Sequence, residues 1–300
     1  MDPIVFGLVA GAAVLHVGWN VLLKTAGDPL RAAAIGMLSA SAVIVPAAAI
    51  GWFIVGRPPI PPEAVALGAA SGILEAAYFS FLAAAYRRGD LSVVYPIARG
   101  TAPLLAVAVG IGVLGERLGP AGIAGVIALL AGLLILQRPW RYLRGGGDPA
   151  VGFALATGVM IASYSAVDRV GARVVEPWLY AGFIWAFCSV FLWAWIGISS
   201  RLPRPAIPGA PVADEPPMDV DVRRSAIGGW ITLAAYLLIL VAFSVAPLTA
   251  VAPLRESAIV LASGWGTLRL GEGSGRPDAI RRIGASALVV VGAVLLALDG

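Results

Sequence analysis

The chain has 300 residues, of which 59% are hydrophobic and only 13% are charged, and its formal net charge is +4. A soluble protein would have to expose much of that apolar surface to water, so this composition excludes a soluble protein and indicates a polytopic membrane protein. The basic residues form no stripe with interleaved aromatic residues, which argues against nucleic acid as a partner. The single cysteine, Cys188, excludes an internal disulfide and a cysteine-based metal site.

Ten apolar runs are long enough to cross a bilayer as helices, which requires about 20 residues each. None of them alternates apolar and polar residues as a strand does, and an open sheet cannot satisfy its backbone in lipid. We therefore predict an all-α polytopic membrane protein with ten transmembrane helices. In chain order the runs cover residues 3–23, 31–55, 63–86, 91–114, 119–137, 149–168, 177–200, 225–245, 249–268 and 280–298.

The two halves of the chain resemble each other. Residues 86–96 align without a gap on residues 243–253 at an offset of 157, and the same register pairs Arg99 with Glu256. Two opposite charges therefore occupy equivalent places in two similar halves. Transporters with internal repeats build their midplane sites in this way.

The repeat predicts two structural units, residues 1–144 and residues 145–300, with a polar, proline-rich loop at 201–224 in the second unit. Each unit contains five spans, an odd number, so the second enters the membrane inverted relative to the first. We therefore expect two inverted five-helix repeats, an arrangement that supports alternating access.

Ionisable side chains deep in the spans are the first candidates for substrate binding. A charge within hydrocarbon is costly unless it faces a cavity or a partner, so such residues mark functional sites. If the histidine is neutral, the charges of these residues sum to zero. The alternative is a set of salt bridges that tie helices together without a role in transport. The candidates are His16, Glu75, Arg99, Arg255 and Glu256.

Two details qualify this set. Adjacent residues on a helix point about 100° apart, so Arg255 and Glu256 are not expected to face one cavity. His16 is the only histidine. It is either a proton carrier, since imidazole titrates near neutral pH, or a hydrogen-bonded helix contact.

Aromatic and polar side chains surround these charges at helical spacing. Residues three or four apart lie on one face of a helix, which groups several of them with His16, Glu75 or Arg99. A cavity lined in this way would suit a small polar or amphoteric solute, whereas ordinary helix packing is the alternative for each aromatic residue. These further candidates for substrate binding are Trp19, Asn20, Tyr78, Tyr95, Tyr164 and Tyr236.

Three segments resemble the drug/metabolite transporter superfamily, specifically its EamA branch of ten-helix carriers. They are residues 15–24 (LHVGWNVLLK), 95–100 (YPIARG) and 114–118 (LGERL), the last followed by Gly122 and Gly125. The resemblance covers nearly the whole chain. It implies a central cavity lined by spans one, three, four, six, eight and nine, and commonly export of amino acids or other small metabolites. Within it, Glu116 looks structural, whereas the second copy at 270–274 (LGEGS) lacks the basic residue.

The loop charges predict an orientation opposite to the family's usual one. Fifteen Lys and Arg residues lie in loops 1–2, 3–4, 5–6, 7–8 and 9–10 or beside them, against four in the remaining loops. Cytoplasmic loops carry the excess of basic residues, so this count places both termini outside the cytoplasm. The family is usually drawn with both termini inside.

Nothing in the sequence points to an enzyme, a cofactor or a metal site, because no metal-ligand spacing, phosphate loop or nucleophile elbow is present. We expect a secondary active transporter, most simply an exporter, that moves a small polar or amphoteric metabolite such as an amino acid by alternating access. Protons are a candidate coupling ion. The alternatives are a flippase for a lipid-linked or lipophilic solute and a non-transporting membrane sensor or scaffold. Its expected place is the bacterial inner membrane, as a monomer or homodimer.

Overall fold

The computed structural model describes residues 3–88, 91–138, 149–201, 219–256 and 276–299, and every regular element in these ranges is an α-helix. The helices follow the ten predicted apolar runs in order. The predicted ninth run, 249–268, extends into residues 257–275, which lie outside the described residues. The helices are α1 Pro3–Thr25, α2 Pro29–Ile54, α3 Pro62–Tyr86, α4 Leu91–Gly112, α5 Pro120–Gln137, α6 Pro149–Val174, α7 Pro177–Ser199, α8 Val222–Val245, α9 Leu248–Arg255 and α10 Arg276–Leu298.

Local sequence explains where several helices begin. Proline occupies the first turn of α2, α3, α5 and α7. Its missing N–H is not needed there, and its fixed φ is already helical. Asp28 caps α2 by accepting from the Arg31 backbone N–H at 2.9 Å, and Asp221 caps α8 by accepting from that of Arg224 at 2.9 Å.

Six of the described helices, α1, α2, α3, α6, α7 and α8, are long and apolar enough to cross a membrane. Shorter apolar segments lie in α4, α5 and α10. Large aliphatic side chains within the helices, such as Ile50, Ile127 and Val190, are more than 55% exposed. In a helix that satisfies its own backbone, such side chains are suited to contact with lipid. The protein is therefore an integral, multi-pass membrane protein.

Most of the helix packing joins the first half of the chain to the second. Helix α1 packs against α8, α2 against α7 and α8, α3 against α6 and α7, α4 against α6 and α9, and α5 against α10. Contacts between helices of the same half are sparse by comparison. The two halves are therefore interleaved, and the core lies between them.

Glycines allow two of these helix pairs to approach closely. A Cβ atom added at Gly36 of α2 would lie 2.9 Å from the Ser225 carbonyl oxygen of α8. A Cβ added at Gly292 of α10 would lie 2.6 Å from the Gly125 carbonyl oxygen of α5. Since lipid supplies no hydrophobic force between helices, such close backbone packing contributes to holding them together.

Candidate functional site

A central cavity lies among helices α1, α2, α3, α6, α7, α8 and α9. It holds about 550 Å³ of space between atoms, including open solvent at its mouth. Seven of the eleven side chains predicted to bind substrate line it. They are His16, Trp19, Glu75, Tyr78, Tyr164, Tyr236 and Arg255.

The other four predicted residues lie elsewhere or are not described. Asn20 and Arg99 line a smaller cavity next to the first, which also borders Tyr78. Glu256 contacts Arg99 and is absent from the lining of the central cavity. Tyr95 lies on α4, but its side chain is outside what the structure describes.

The central cavity carries opposite charges on opposite elements. Glu75 projects from α3 and Arg255 from α9, and each side chain is about 6% exposed. Arg255 faces this cavity while its neighbour Glu256 faces Arg99, as expected for adjacent residues on one helix. Two opposite charges in one apolar cavity can bind the two charged ends of an amphoteric solute.

Arg99 and Glu256 form a buried ion pair that links α4 to α9. The Arg99 Nη1 atom donates to Glu256 Oε1 at 2.9 Å, and the two residues are only 4% and 2% exposed. The Arg255 Nε atom lies 3.4 Å from the same oxygen. One carboxylate oxygen thus serves two guanidinium groups.

His16 connects this ion pair to the wall of the central cavity. Trp19 Nε1 donates to His16 Nδ1 at 3.0 Å, and Arg99 Nη2 contacts His16 Nε2. Both ring nitrogens therefore lie against groups that can only donate hydrogen bonds. The neutral ring carries one N–H and can accept at only one of its two nitrogens, and a second proton would place N–H against N–H at both contacts. This geometry therefore favours the neutral ring, as a hydrogen-bonded helix contact, over the protonated one.

A chain of aromatic rings forms one wall of the cavity. Ring centroids lie 5.9 Å apart for Tyr78 and Tyr164, 6.0 Å for Tyr164 and Tyr236, and 5.8 Å for Trp185 and Tyr236. The rings come from α3, α6, α8 and α7. Sequence reasoning missed Trp185, because α7 contains four tryptophans and nothing in their spacing separates the cavity residue from the others.

Asp168 is a buried carboxylate that sequence reasoning also missed. It is fully buried on α6, and the Tyr180 hydroxyl donates to its Oδ1 at 3.0 Å while the Tyr236 hydroxyl donates to Oδ2. The sixth predicted run ended at residue 168, whereas α6 continues to Val174 and places Asp168 within the helix bundle. Its spacing from Tyr164, four residues on one helical face, is the signal that would have found it.

Asp168 changes the predicted charge balance. The fully or almost fully buried charged residues of the described ranges are three carboxylates and two guanidinium groups. The predicted set of five ionisable residues did not include Asp168, so its charge sum does not cover every buried carboxylate of the described ranges.

Glu116, in the loop after α4, hydrogen-bonds to the N-terminus of α9. Its carboxylate accepts from the backbone N–H groups of Leu248 at 2.7 Å and Thr249 at 2.9 Å, and from Arg169 Nε at 3.2 Å. Arg169 also donates to the Phe243 carbonyl at the end of α8 at 2.9 Å. Glu116 is thus a structural residue that positions the helix bearing Arg255.

No group of three or more His, Cys, Asp or Glu side chains is placed to hold a metal ion within the described ranges. The contacts that converge on the cavity are instead those of carboxylate, guanidinium, indole and phenol groups. Such groups bind a small organic solute by charge and hydrogen bonding.

Comparisons with known proteins agree with this architecture. The EamA-like transporter family matches residues 4–138. The spermidine export protein MdtI of Salmonella paratyphi A (strain ATCC 9150 / SARB42) is 32% identical over 126 residues, which are 42% of this chain and 85% of the relative. A solved structure titled only as the crystal structure of a protein shares the fold, with a TM-score of 0.65 at 21% identity over 99% of this chain and 98% of that one. The chain is therefore a membrane transporter of the drug/metabolite transporter superfamily and belongs to its EamA-like transporter family.

Proposed function

We propose that the protein is a secondary active transporter that exports a small amphoteric metabolite. The observation that carries this proposal is the pair of opposite charges, Glu75 and Arg255, in one buried central cavity. A buried charge is costly unless an opposite charge lies close to it. A solute with charges of both signs can supply an opposite charge to Glu75 and to Arg255 at the same time. The aromatic wall beside them supplies flat surfaces for the rest of such a solute.

Alternating access is the mechanism that we propose. Residues 1–144 and 145–300 would form two inverted five-helix repeats with ten membrane spans in all, working in the bacterial inner membrane. The interleaved packing of the two halves supports this, because the cavity lies where they meet. The ion pair between Arg99 on α4 and Glu256 at the end of α9, which the offset of 157 makes equivalent residues, supports it as well. A monomer would suffice for this mechanism, since one chain supplies the whole cavity.

A small organic cation is the second candidate substrate class. The relative named above exports spermidine, according to its name. The third buried carboxylate, Asp168, favours a positively charged solute in this chain as well. Exchange of such a solute for protons would keep the buried charges balanced during the return step.

Transport by the purified protein in proteoliposomes tests the proposal. The vesicles are loaded with a mixture of amino acids and polyamines, and mass spectrometry follows which solutes leave against an empty exterior. Wild-type protein should release a subset of the mixture, and Glu75→Gln should abolish that release. The matched control is Glu63→Gln, because Glu63 lies exposed in the first turn of the same helix. Unimpaired release by Glu75→Gln, or no release of any solute by the wild type, would refute the proposed function.

A further inference from the structure

Resting on that proposed function, we propose that Asp168 carries the proton that is exchanged for the solute, and that this proton changes the hydrogen bond that Tyr236 offers to the central cavity. Exchange requires a side chain that gains and loses a proton close to the solute. The contacts of His16 favour its neutral ring. Asp168, by contrast, is a titratable group that lies one hydrogen bond behind the cavity wall, through Tyr236.

The surroundings of Asp168 suit a carboxyl group that alternates between its charged and neutral forms. Asp168 is fully buried, and no Lys or Arg side chain of the described ranges forms a salt bridge with it. Burial without a contacting cation favours the neutral form. The Tyr180 and Tyr236 hydroxyls, which donate to its two oxygens, favour the charged form. Glu256 differs, because it is almost as deeply buried but contacts Arg99 directly.

The neighbouring charges act on Asp168 from two sides. Glu75 lies close enough for the two carboxyl groups to interact, and two neighbouring carboxylates repel each other, which favours a proton on one of them. Arg255 is close enough to oppose that effect. The titratable or charged groups that face Asp168 from the helices packed against α6 are Glu75 on α3, Tyr180 on α7, Tyr236 on α8 and Arg255 on α9, whereas Arg99 on α4 is paired with Glu256 and Arg169 on α6 itself binds Glu116.

The two tyrosines respond differently when Asp168 binds a proton. A protonated carboxyl group has an O–H that donates to one phenol oxygen, so the O–H of that phenol must turn to another acceptor. Tyr180 is 0% exposed, and its hydroxyl lies against the Gly171 backbone, where a Cβ atom would collide with it. Tyr236 lines the central cavity and has room to turn. Its hydroxyl therefore donates to charged Asp168 and donates into the cavity when Asp168 is neutral.

This change couples the proton to the solute. With Asp168 charged, Tyr236 presents an oxygen lone pair to the cavity, and the nearby negative charge favours a cationic group of the solute. With Asp168 protonated, Tyr236 presents an O–H donor and one negative charge is lost, which disfavours that cationic group. The proton and the cationic group therefore compete, as exchange requires.

Infrared difference spectroscopy of the purified full-length protein in detergent micelles tests the proton site without any solute. Spectra are recorded from about pH 5 to about pH 9, because ordinary carboxyl groups are already mostly charged at the acid end of this range. The C=O stretch of a protonated carboxyl group should be present at the acid end and lost at the alkaline end. Aspartate with heavy carbon in its side-chain carboxyl, incorporated into the wild-type protein, should displace this band.

Variants assign the band to one residue. Asp168→Asn should lose it, whereas Asp221→Asn, at the exposed cap of α8, is the matched control and should keep it. His16→Gln should keep it as well. In proteoliposomes, an imposed pH gradient should change the rate at which the wild type releases the solutes that it transports, and this response should be lost in Asp168→Asn. The labelled wild type identifies an aspartate by itself, so a variant that fails to fold cannot hide the answer.

Three outcomes would overturn the proposal. A band that labelled aspartate does not displace and that only Glu75→Gln removes would place the proton on Glu75. A wild-type protein with no pH-dependent carboxyl band would have no such site. Release by the wild type at a rate that no pH gradient changes would remove the coupling. The proposed function fails separately, when the wild-type protein moves no solute in proteoliposomes.

Discussion

Replacing Glu256 with glutamine should destabilise the protein more than replacing Arg99 with methionine. Both changes keep nearly the same side-chain length and break the same contact of 2.9 Å. They differ in what they leave behind. Arg99→Met leaves Glu256 beside Arg255 at 3.4 Å. Glu256→Gln removes the carboxylate that accepts from the buried Arg99 guanidinium at 2.9 Å.

The groups that remain after the two changes differ in their surroundings. In Arg99→Met the Glu256 carboxylate keeps a cation close by, because the Arg255 Nε atom lies 3.4 Å from its Oε1. That contact limits the cost of Arg99→Met. A guanidinium cannot lose its proton. Glu256→Gln should therefore cost about 3–5 kcal/mol, as when a buried ion pair is broken.

The stability of the double variant shows whether Arg99 and Glu256 are energetic partners. Adding Arg99→Met to Glu256→Gln removes the guanidinium that has lost its carboxylate acceptor, so the double variant should be more stable than Glu256→Gln alone. The free energy of unfolding is measured in detergent micelles by denaturant titration with tryptophan fluorescence. Additive losses, with the double variant less stable than either single variant, would show that Arg99 and Glu256 are not energetic partners. Exchanging the two charges is a poorer test, because an arginine at position 256 would lie against Arg255.

Three further variants test packing, capping and proton binding. Gly229→Ala should cost about 1–3 kcal/mol by overpacking, since its Cβ would meet the Gly36 carbonyl of α2, and thermal unfolding measures the loss. Gly228→Ala is the control, because its Cβ would lie 3.6 Å from Leu22. A larger loss of stability in Gly228→Ala than in Gly229→Ala would contradict the packing described here. Glu116→Ala should cost about 1–3 kcal/mol, since two N–H groups of α9 lose their acceptor, and this loss should exceed that of the exposed cap variant Asp221→Ala in the same assay. His16→Gln should leave the pH dependence of transport unchanged, because both ring nitrogens face donors; loss of that dependence with exchange intact would make His16 the proton carrier.

The sequence was sufficient to locate the helices, because each span is a long apolar run bounded by proline, glycine or charge. It also predicted that Arg99 and Glu256 occupy equivalent positions, since a repeat register needs no coordinates. The rotation of α9 could not be predicted in the same way. A turn of about 100° decides whether Arg255 or Glu256 faces the cavity, and only packing against α4 and the other helices sets that angle.

Asp168 shows a different limit. Asp168 and Arg169 together look like the polar end of a span, and the apolar run stops there. In the structure the helix continues, and the two side chains separate: Asp168 binds Tyr180 and Tyr236, whereas Arg169 binds Glu116. The partners of both residues are distant in sequence or on other helices. A pattern confined to one run cannot reveal them.

The interleaving of the two halves has a consequence for biosynthesis. The chain is made from its N-terminus, so in the proposed ten-span topology α4 enters the bilayer before the ribosome has reached α9. The carboxylate that pairs with Arg99 lies 157 positions further along the chain and is synthesised later. Until then Arg99 costs about 2.5–3.5 kcal/mol at mid-membrane depth, or its side chain reaches towards the headgroups. Since the first five helices pack mainly against helices made later, a chain that stops after them would lack most of its packing partners.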